Sequence, residues 1–270
     1  MVSIAYMVAG MSSRFGGKIK QFAKVGPNGE TLIEVSIKQA ISAGFDKIIF
    51  IVGEKTETPF KEMFGNSYNE VPIAYAKQNF DPKVRDKPWG TCDALVSAKD
   101  IINENFVVCN GDDIYGENAF RTAHDFLTKN NGGVAIGYKL KNIIPDKGSV
   151  NRGLFGTDKD GNVISIEEIF DITKENFKEK NLTENSLCSM NLFGLPKEVL
   201  PDLETILKEF KEKNKEDKKA ECLLPNNLGT LIKENKLQIK LLETNDKWFG
   251  VTNPEDEEII KNKLKQSAQH

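Results

Sequence analysis

Two short stretches hold the side chains with the most chemistry to offer. The first, Gly10-Met11-Ser12-Ser13-Arg14-Phe15-Gly16-Gly17-Lys18-Ile19-Lys20-Gln21, sets three cations among glycines directly after the apolar run Ile4 to Ala9. Backbone N–H groups at such a turn, with Arg14 and Lys20 close by, suit a polyanion such as a nucleoside triphosphate. Glycines alone would mark only a tight turn leaving a strand; the cations beside them favour phosphate. The second stretch, Asn110-Gly111-Asp112-Asp113-Ile114, follows the apolar run Phe106 to Cys109. Adjacent carboxylates at a strand end suit a hard cation such as Mg²⁺ that bridges phosphates. An Asx turn accounts for the same residues without a metal.

Other catalytic chemistries are poorly supplied. The only histidines are His124 and His270, and Cys92, Cys109, Cys188 and Cys222 show no C-x-x-C spacing. A Ser-His-Asp or Cys-His pair would rest on His124 alone, and zinc or a disulfide framework has no pattern to stand on. His124 reads as a surface or half-buried helix residue, and the cysteines as core residues. A net charge of −3 leaves no electrostatic footprint for nucleic acid. No run of about 18 apolar residues exists and no charged region precedes the first apolar stretch, so the expectation is a cytoplasmic protein with no membrane partner.

The elements that must position these residues follow from periodicity. Thr31 and Glu34 form a capping box, apolar residues repeat at helical spacing from Leu32 to Ala43, and Gly44 ends the helix. Lys47 to Val52 is a continuous β-rich run, so residues 4–52 read as a parallel β-α-β unit with the glycine loop at the carboxyl end of its first strand. Residues 60–71 read as helical and Pro72 to Lys77 as a strand ending at Gln78. A loop over 79–88 leads to a helix with Thr91 as N-cap. A helix over 117–129 and a strand over 134–138 follow. Beyond them the pattern turns antiparallel: strands 153–157 and 163–168 flank the turn Asp158-Lys159-Asp160-Gly161, and Leu187 to Phe193 carries Ser189 and Asn191 at period two. A helix from Pro196 runs into the charged stretch 208–219, which reads as a solvated face. A helix over 221–236, a strand over 238–243 and a closing helix over 254–265 complete the chain, without internal repeats.

Taken together, these residues resemble the sugar-phosphate nucleotidyltransferases, the nucleotidyltransferase domain of nucleoside-diphosphate-sugar pyrophosphorylases. The opening signature is similar over Val8 to Arg14 and at Lys20-Gln21, a base-recognition segment at Gln78 and Gly90 to Leu95, and a metal-binding Gly-Asp at Gly111-Asp112. Gly153, Glu168 and Asn191 look like the family's sugar contacts. Competing phosphate loops fail on identity: Ser12 stands where a Walker A loop before Lys18 needs glycine, Ile19 follows that lysine, and no G-x-G-x-x-G is present.

The resemblance implies an α/β fold, a Rossmann-like, mostly parallel mixed sheet flanked by helices, with a smaller antiparallel sugar-binding part. It implies one nucleotidyltransferase domain over 1–270: a nucleotide part to about 140, a sugar-phosphate part over about 141–253, and a C-terminal helix over 254–270. Arg14, Lys20 and Asp112 would be catalytic; Ala9, Gly10, Met11, Gln78, Gly90 and Thr91 would bind nucleotide; Gly153, Glu168, Asn191 and Lys247 would bind sugar phosphate; Asp112 and Asp113 would hold Mg²⁺. The partners would be small molecules, an NTP and a sugar-1-phosphate, most readily UTP with N-acetylglucosamine-1-phosphate or glucose-1-phosphate. Two alternatives stay open: a CTP-dependent enzyme acting on a phosphorylated alcohol such as phosphocholine, and a non-catalytic sensor of sugar nucleotides. Two departures from the family pattern bear on the choice. Gly250 stands where relatives place a metal aspartate after Trp248, and Phe170 stands where many carry a lysine for the sugar phosphate, a role for which Lys247 is the substitute.

Overall fold

The computed structural model describes residues 1–10, 19–145, 148–251 and 256–267. Its first half is a wound α/β unit. Strand β1 (Ser3–Met7) is followed by a one-turn 3-10 helix over Lys20–Phe22, helix α1 (Leu32–Ala43), β2 (Lys47–Val52), α2 (Glu54–Phe64), the short β3 (Ser67–Tyr68), β4 (Val71–Lys77), α3 (Thr91–Val96) and β5 (Phe106–Asn110). Thr31 and Glu34 cap α1 reciprocally, and Gly44 closes it at φ 110°. Helix α2 starts at Glu54, earlier than the polar stretch suggested, because Gly53 and the Thr56 hydroxyl cap it, with Gly53 N–H donating to Thr56 Oγ1 at 2.9 Å. Residues 65–70 then turn back through positive φ at Gly65, Asn69 and Glu70, giving a small hairpin where helix was expected.

The second half adds β6 (Asp113–Ile114), α4 (Glu117–Lys129), β7 (Gly133–Lys139), α5 (Leu140–Ile143), β8 (Val150–Thr157), β9 (Val163–Ile172), β10 (Leu187–Leu195), α6 (Val199–Lys213), α7 (Leu224–Lys233), β11 (Ile239–Thr244), β12 (Phe249–Gly250) and α8 (Asp256–Ser267). The main sheet runs β11-β7-β10-β5-β1-β2-β4-β3, with β8 hydrogen-bonded to β10 and β9 to β8. Strands β4, β2, β1 and β5 are parallel, β10 is antiparallel to both β5 and β7, and β11 is parallel to β7. The fold is therefore the mostly parallel mixed sheet expected, with an antiparallel β10-β8-β9 extension.

Strands β1, β2, β4 and β5 are apolar throughout because both faces of the sheet are covered. One face packs Ile4, Tyr6, Phe50 and Val107 against α1, α2 and α4. The other packs Ala5, Ile49 and Val108 against α3, α6 and α7. A third, small cluster seats Ile260 of α8 on Val25, Leu32, Ile114 and Val251. This arrangement brings the carboxyl ends of β1, β2, β4 and β5 to one edge: Met7 pairs with Asn110 and Ile51, and Val52 with Lys77.

Candidate active site

At that edge the two chemically richest stretches meet. Gly111 donates its N–H to Met7 O at 3.1 Å, locking the turn after β5 onto the end of β1. The 3-10 turn delivers Lys20, whose ammonium lies 2.6 Å from Asp112 Oδ2, with the two side chains 19% and 31% exposed. The pair is thus half open to solvent and available to a ligand. Ala9 is half-buried and Gly10 exposed at the mouth of β1. Arg14 and Met11 lie outside the described residues.

Asp113 is buried at 6% exposure, unlike its neighbour. Its Oδ2 accepts from Asn110 Nδ2 at 2.9 Å and lies 3.2 Å from the Tyr115 hydroxyl. Burial, and then the charge of Asp112, push the Asp113 carboxyl up to about 7. Asp113 also lies directly opposite Gly250 in the β6-β12 pair. A Cβ on Gly250 would meet the Trp248 ring at 2.5 Å and Asp113 Oδ1 at 2.8 Å. The missing side chain is what allows the Asp113 carboxylate and the indole to close on this position.

The part of the edge expected to bind nucleotide is built by a brace that spacing did not reveal. Gly90 sits at φ 96° with its α-carbon against the Cys222 backbone, where a Cβ would lie 2.7 Å from Cys222 O. Gln78, 6% exposed, gives its amide hydrogens to Gly90 O at 3.0 Å and Asp93 Oδ2 at 2.9 Å. Asp93 is also paired with Lys211 at 2.5 Å, so this member of the charged 208–219 run is not purely solvated. Arg85 stacks on Trp89, 3.2 Å from the ring centroid, and donates to Asp217 O and Ala220 O at 3.1 and 2.6 Å. Gly90, rather than Thr91, is the N-cap of α3; the Thr91 hydroxyl instead accepts the Leu224 N–H at 2.9 Å.

On the antiparallel extension, register aligns the expected sugar contacts. Gly153 pairs with Glu168 on one side and Ser189 on the other. The Glu168 carboxylate is exposed and lies 3.8 Å from where a Gly153 Cβ would be. Asn191 occupies an irregularity between Ser189 and Phe193, at φ 59°, and its N–H donates to Ser189 Oγ at 3.3 Å. A non-glycine residue held left-handed stores strain of about 1–3 kcal/mol, which clusters at ligand sites. Lys247 is exposed. Sequence reading overlooked Arg152 and used Trp248 only to place Gly250. The Arg152 guanidinium lies 5.3 Å from the Trp248 ring centroid. Proximity to Gly153 in sequence was the only available signal for Arg152.

The sequence model of the nucleotidyl transferase family matches residues 17–257. The chain belongs to the nucleotidyl transferase family. A segment of 91 residues is 29% identical to the UTP–glucose-1-phosphate uridylyltransferase AglF of Haloferax volcanii; it covers 34% of this chain and 34% of that protein, so the chain matches about a third of that relative's length. Among solved structures, a UDP-glucose pyrophosphorylase complexed with UDP-glucose superposes with a TM-score of 0.67 at 17% identity, covering 99% of both chains. The inositol-1-phosphate CTP transferase of T. maritima does so with a TM-score of 0.69 at 14% identity, covering 98% of this chain and 96% of its own. At those identities the likeness is one of fold.

His124 packs on Phe45, ring centroids 5.2 Å apart, and against Gly44. All four cysteines are buried as expected. Among the described residues no group of three or more His, Cys, Asp or Glu could enclose a metal, and no helix is long and apolar enough to cross a membrane.

Proposed function

We propose that this protein forms a nucleoside diphosphate sugar and pyrophosphate from an NTP and a sugar-1-phosphate, with UTP and either N-acetylglucosamine-1-phosphate or glucose-1-phosphate as the preferred pair. The observation that carries the reading is the half-open Lys20–Asp112 pair, 2.6 Å apart at the joined ends of β1 and β5. An acceptor phosphate oxygen attacks the α-phosphorus in line; one P–O bond forms as the bond to pyrophosphate breaks. Such a transfer needs positioning and charge neutralisation more than covalent help.

Lys20 leaves Asp112 for the α-phosphate and the departing pyrophosphate, while Arg14 takes the β and γ phosphates. Backbone at Ala9, Gly10, Met11, Gly90 and Thr91 lies against the nucleotide. Gln78, whose amide hydrogens are spent on Gly90 and Asp93, acts by holding the Gly90 backbone in place. Glu168 accepts from vicinal sugar hydroxyls across Gly153, and Asn191 adds a donor.

Asp112 and Asp113 suit Mg²⁺. Burial and then the neighbouring charge of Asp112 push Asp113 up to about 7, a cost that a divalent cation would offset, and an ion that keeps phosphate and water ligands needs few carboxylates. When bound, that ion would neutralise charge on the phosphates. The preference for UTP is supported by the archaeal uridylyltransferase relative, and the T. maritima neighbour keeps CTP in the test. Pyrophosphate release measured for four NTPs against a panel of sugar-1-phosphates decides. Turnover with UTP and a hexose-1-phosphate is expected; CTP with a non-sugar acceptor would move the protein to the cytidylyltransferases, and no turnover with any pair would leave a sensor.

A further inference from the structure

We infer that Arg152 anchors the phosphate of the acceptor, with the Trp248 indole N–H as a second donor beside it; this rests on the nucleotidyl-transfer reading above. Lys247, the cation expected for that phosphate, is exposed. The charge that the fold has drawn inward is Arg152. It stands on β8 next to Gly153 and opposite Ile169, the residue adjoining Glu168. Among the described residues its guanidinium reaches only backbone: Nη1 donates to Asn151 O at 3.0 Å and Nη2 to Ile143 O at 3.5 Å, the latter at the limit of a hydrogen bond. Its Nε is buried with no partner, and so is Trp248 Nε1.

A largely buried guanidinium without a carboxylate partner is costly, and each unsatisfied N–H adds roughly 1–3 kcal/mol. Folding tolerates this where a ligand supplies the missing anion. The surroundings say which part of a ligand that would be. Arg152 packs on Trp248, whose ring closes on Gly250 opposite Asp113, and it adjoins Gly153, which pairs with Glu168, so it lies between the carboxylates at the proposed reacting end and the carboxylate assigned to the sugar hydroxyls. The acceptor's phosphate must occupy that interval. A planar guanidinium matches a tetrahedral phosphate with parallel hydrogen bonds, and the indole offers one more. Among the described residues, Lys20 is assigned to the triphosphate, and Lys139 is engaged by Glu243 at 3.4 Å and Asn245 Oδ1 at 3.3 Å. An ordered water could satisfy the two N–H groups but would leave the charge unanswered.

The test uses the full chain with Arg152→Ala, Arg152→Lys and Trp248→Phe, each checked for an unchanged thermal transition. In the transfer assay Arg152→Ala is expected to raise KM for the sugar-1-phosphate by roughly 10- to 100-fold, the worth of a charged hydrogen bond, with KM for the NTP within about twofold. Arg152→Lys should recover part of the loss. Independently of turnover, glucose-1-phosphate and inorganic phosphate, but not glucose, should change tryptophan emission saturably in the wild type, and in neither Arg152→Ala nor Trp248→Phe. An acceptor KM unchanged in Arg152→Ala, or an emission response that survives it, overturns the inference. If the wild type turns over no sugar-1-phosphate, the transfer reading falls while the emission titration still decides whether Arg152 binds phosphate.

Discussion

At the scale of single residues, the site is organised by what Lys20 and Asp112 do when no ligand is present. Each neutralises the other at 2.6 Å, so neither charge faces the sheet edge alone. On the proposed reading, a bound triphosphate would exchange this one ion pair for contacts to both partners. Lys20→Ala and Asp112→Asn are therefore expected to lose at least about a hundredfold in turnover, the scale of removing one charge-stabilising group, with the thermal transition little changed. A loss below about threefold in steady-state pyrophosphate release would move the site elsewhere. Gly250 gives a sharper test. Restoring the aspartate that relatives carry there should not improve the enzyme, because the Trp248 ring and Asp113 Oδ1 already fill the space within 2.8 Å. Both Gly250→Ala and Gly250→Asp should destabilise by about 1–3 kcal/mol, read by denaturant titration, and lower activity. A Gly250→Asp variant that gains activity would show that Asp113 does not stand in for the missing carboxylate.

At the scale of elements, the proposed nucleotide side depends on a loop that cannot hold itself. Residues 79–90 contain no regular structure, yet Arg85 pins them to Asp217 and Ala220, and Gln78 with Asp93 pins Gly90. Gly90→Ala meets a forbidden φ and the Cys222 backbone at once, so it should raise KM for the NTP by roughly tenfold and cost about 1–3 kcal/mol of stability. An NTP KM within twofold of wild type would show that the loop does not touch the nucleotide. Helix α2 is tied to β4 differently, through Glu57, which meets Lys61 at 2.8 Å and Lys77 at 2.6 Å. The Lys61 and Lys77 ammonium groups hold its carboxyl down at about 2, below its ordinary 4.5. A depressed carboxylate contributes stability that is complete above about pH 4.5 and is lost as pH falls toward 2. Glu57→Gln should flatten the acid limb of the melting-temperature profile in that window. The effect should be small and erased by 1 M salt, because the pair faces solvent.

At the scale of the whole molecule, the site joins the ends of parallel strands to an antiparallel extension reached through β10. Ligand that bridges them stabilises the fold by mass action. If the proposed function holds, magnesium with UTP at about 100 times its dissociation constant is expected to add about 2.7 kcal/mol, which for a chain of this size is roughly 5–10 °C in melting temperature. Calorimetry that finds equal shifts for ATP, CTP, GTP and UTP would remove the UTP preference.

Local patterns determined much of this protein. The capping box at Thr31, the helix limits at Leu32 and Ala43, the buried strands and the two polar stretches at their ends are written within a few residues of one another, because propensity, capping and periodicity act over one or two turns. The start of α2 escaped that reading, since Gly53 and Thr56 cap it without an apolar signature. What the chain order alone did not show was which long-range partners close the site. Lys211 reaches Asp93 across 118 residues, Asp113 meets Gly250 across a strand pair, and Arg152 stacks on Trp248 with its Nε and the indole N–H unanswered. Those contacts depend on register and on packing in three dimensions, and no spacing rule along the chain encodes them.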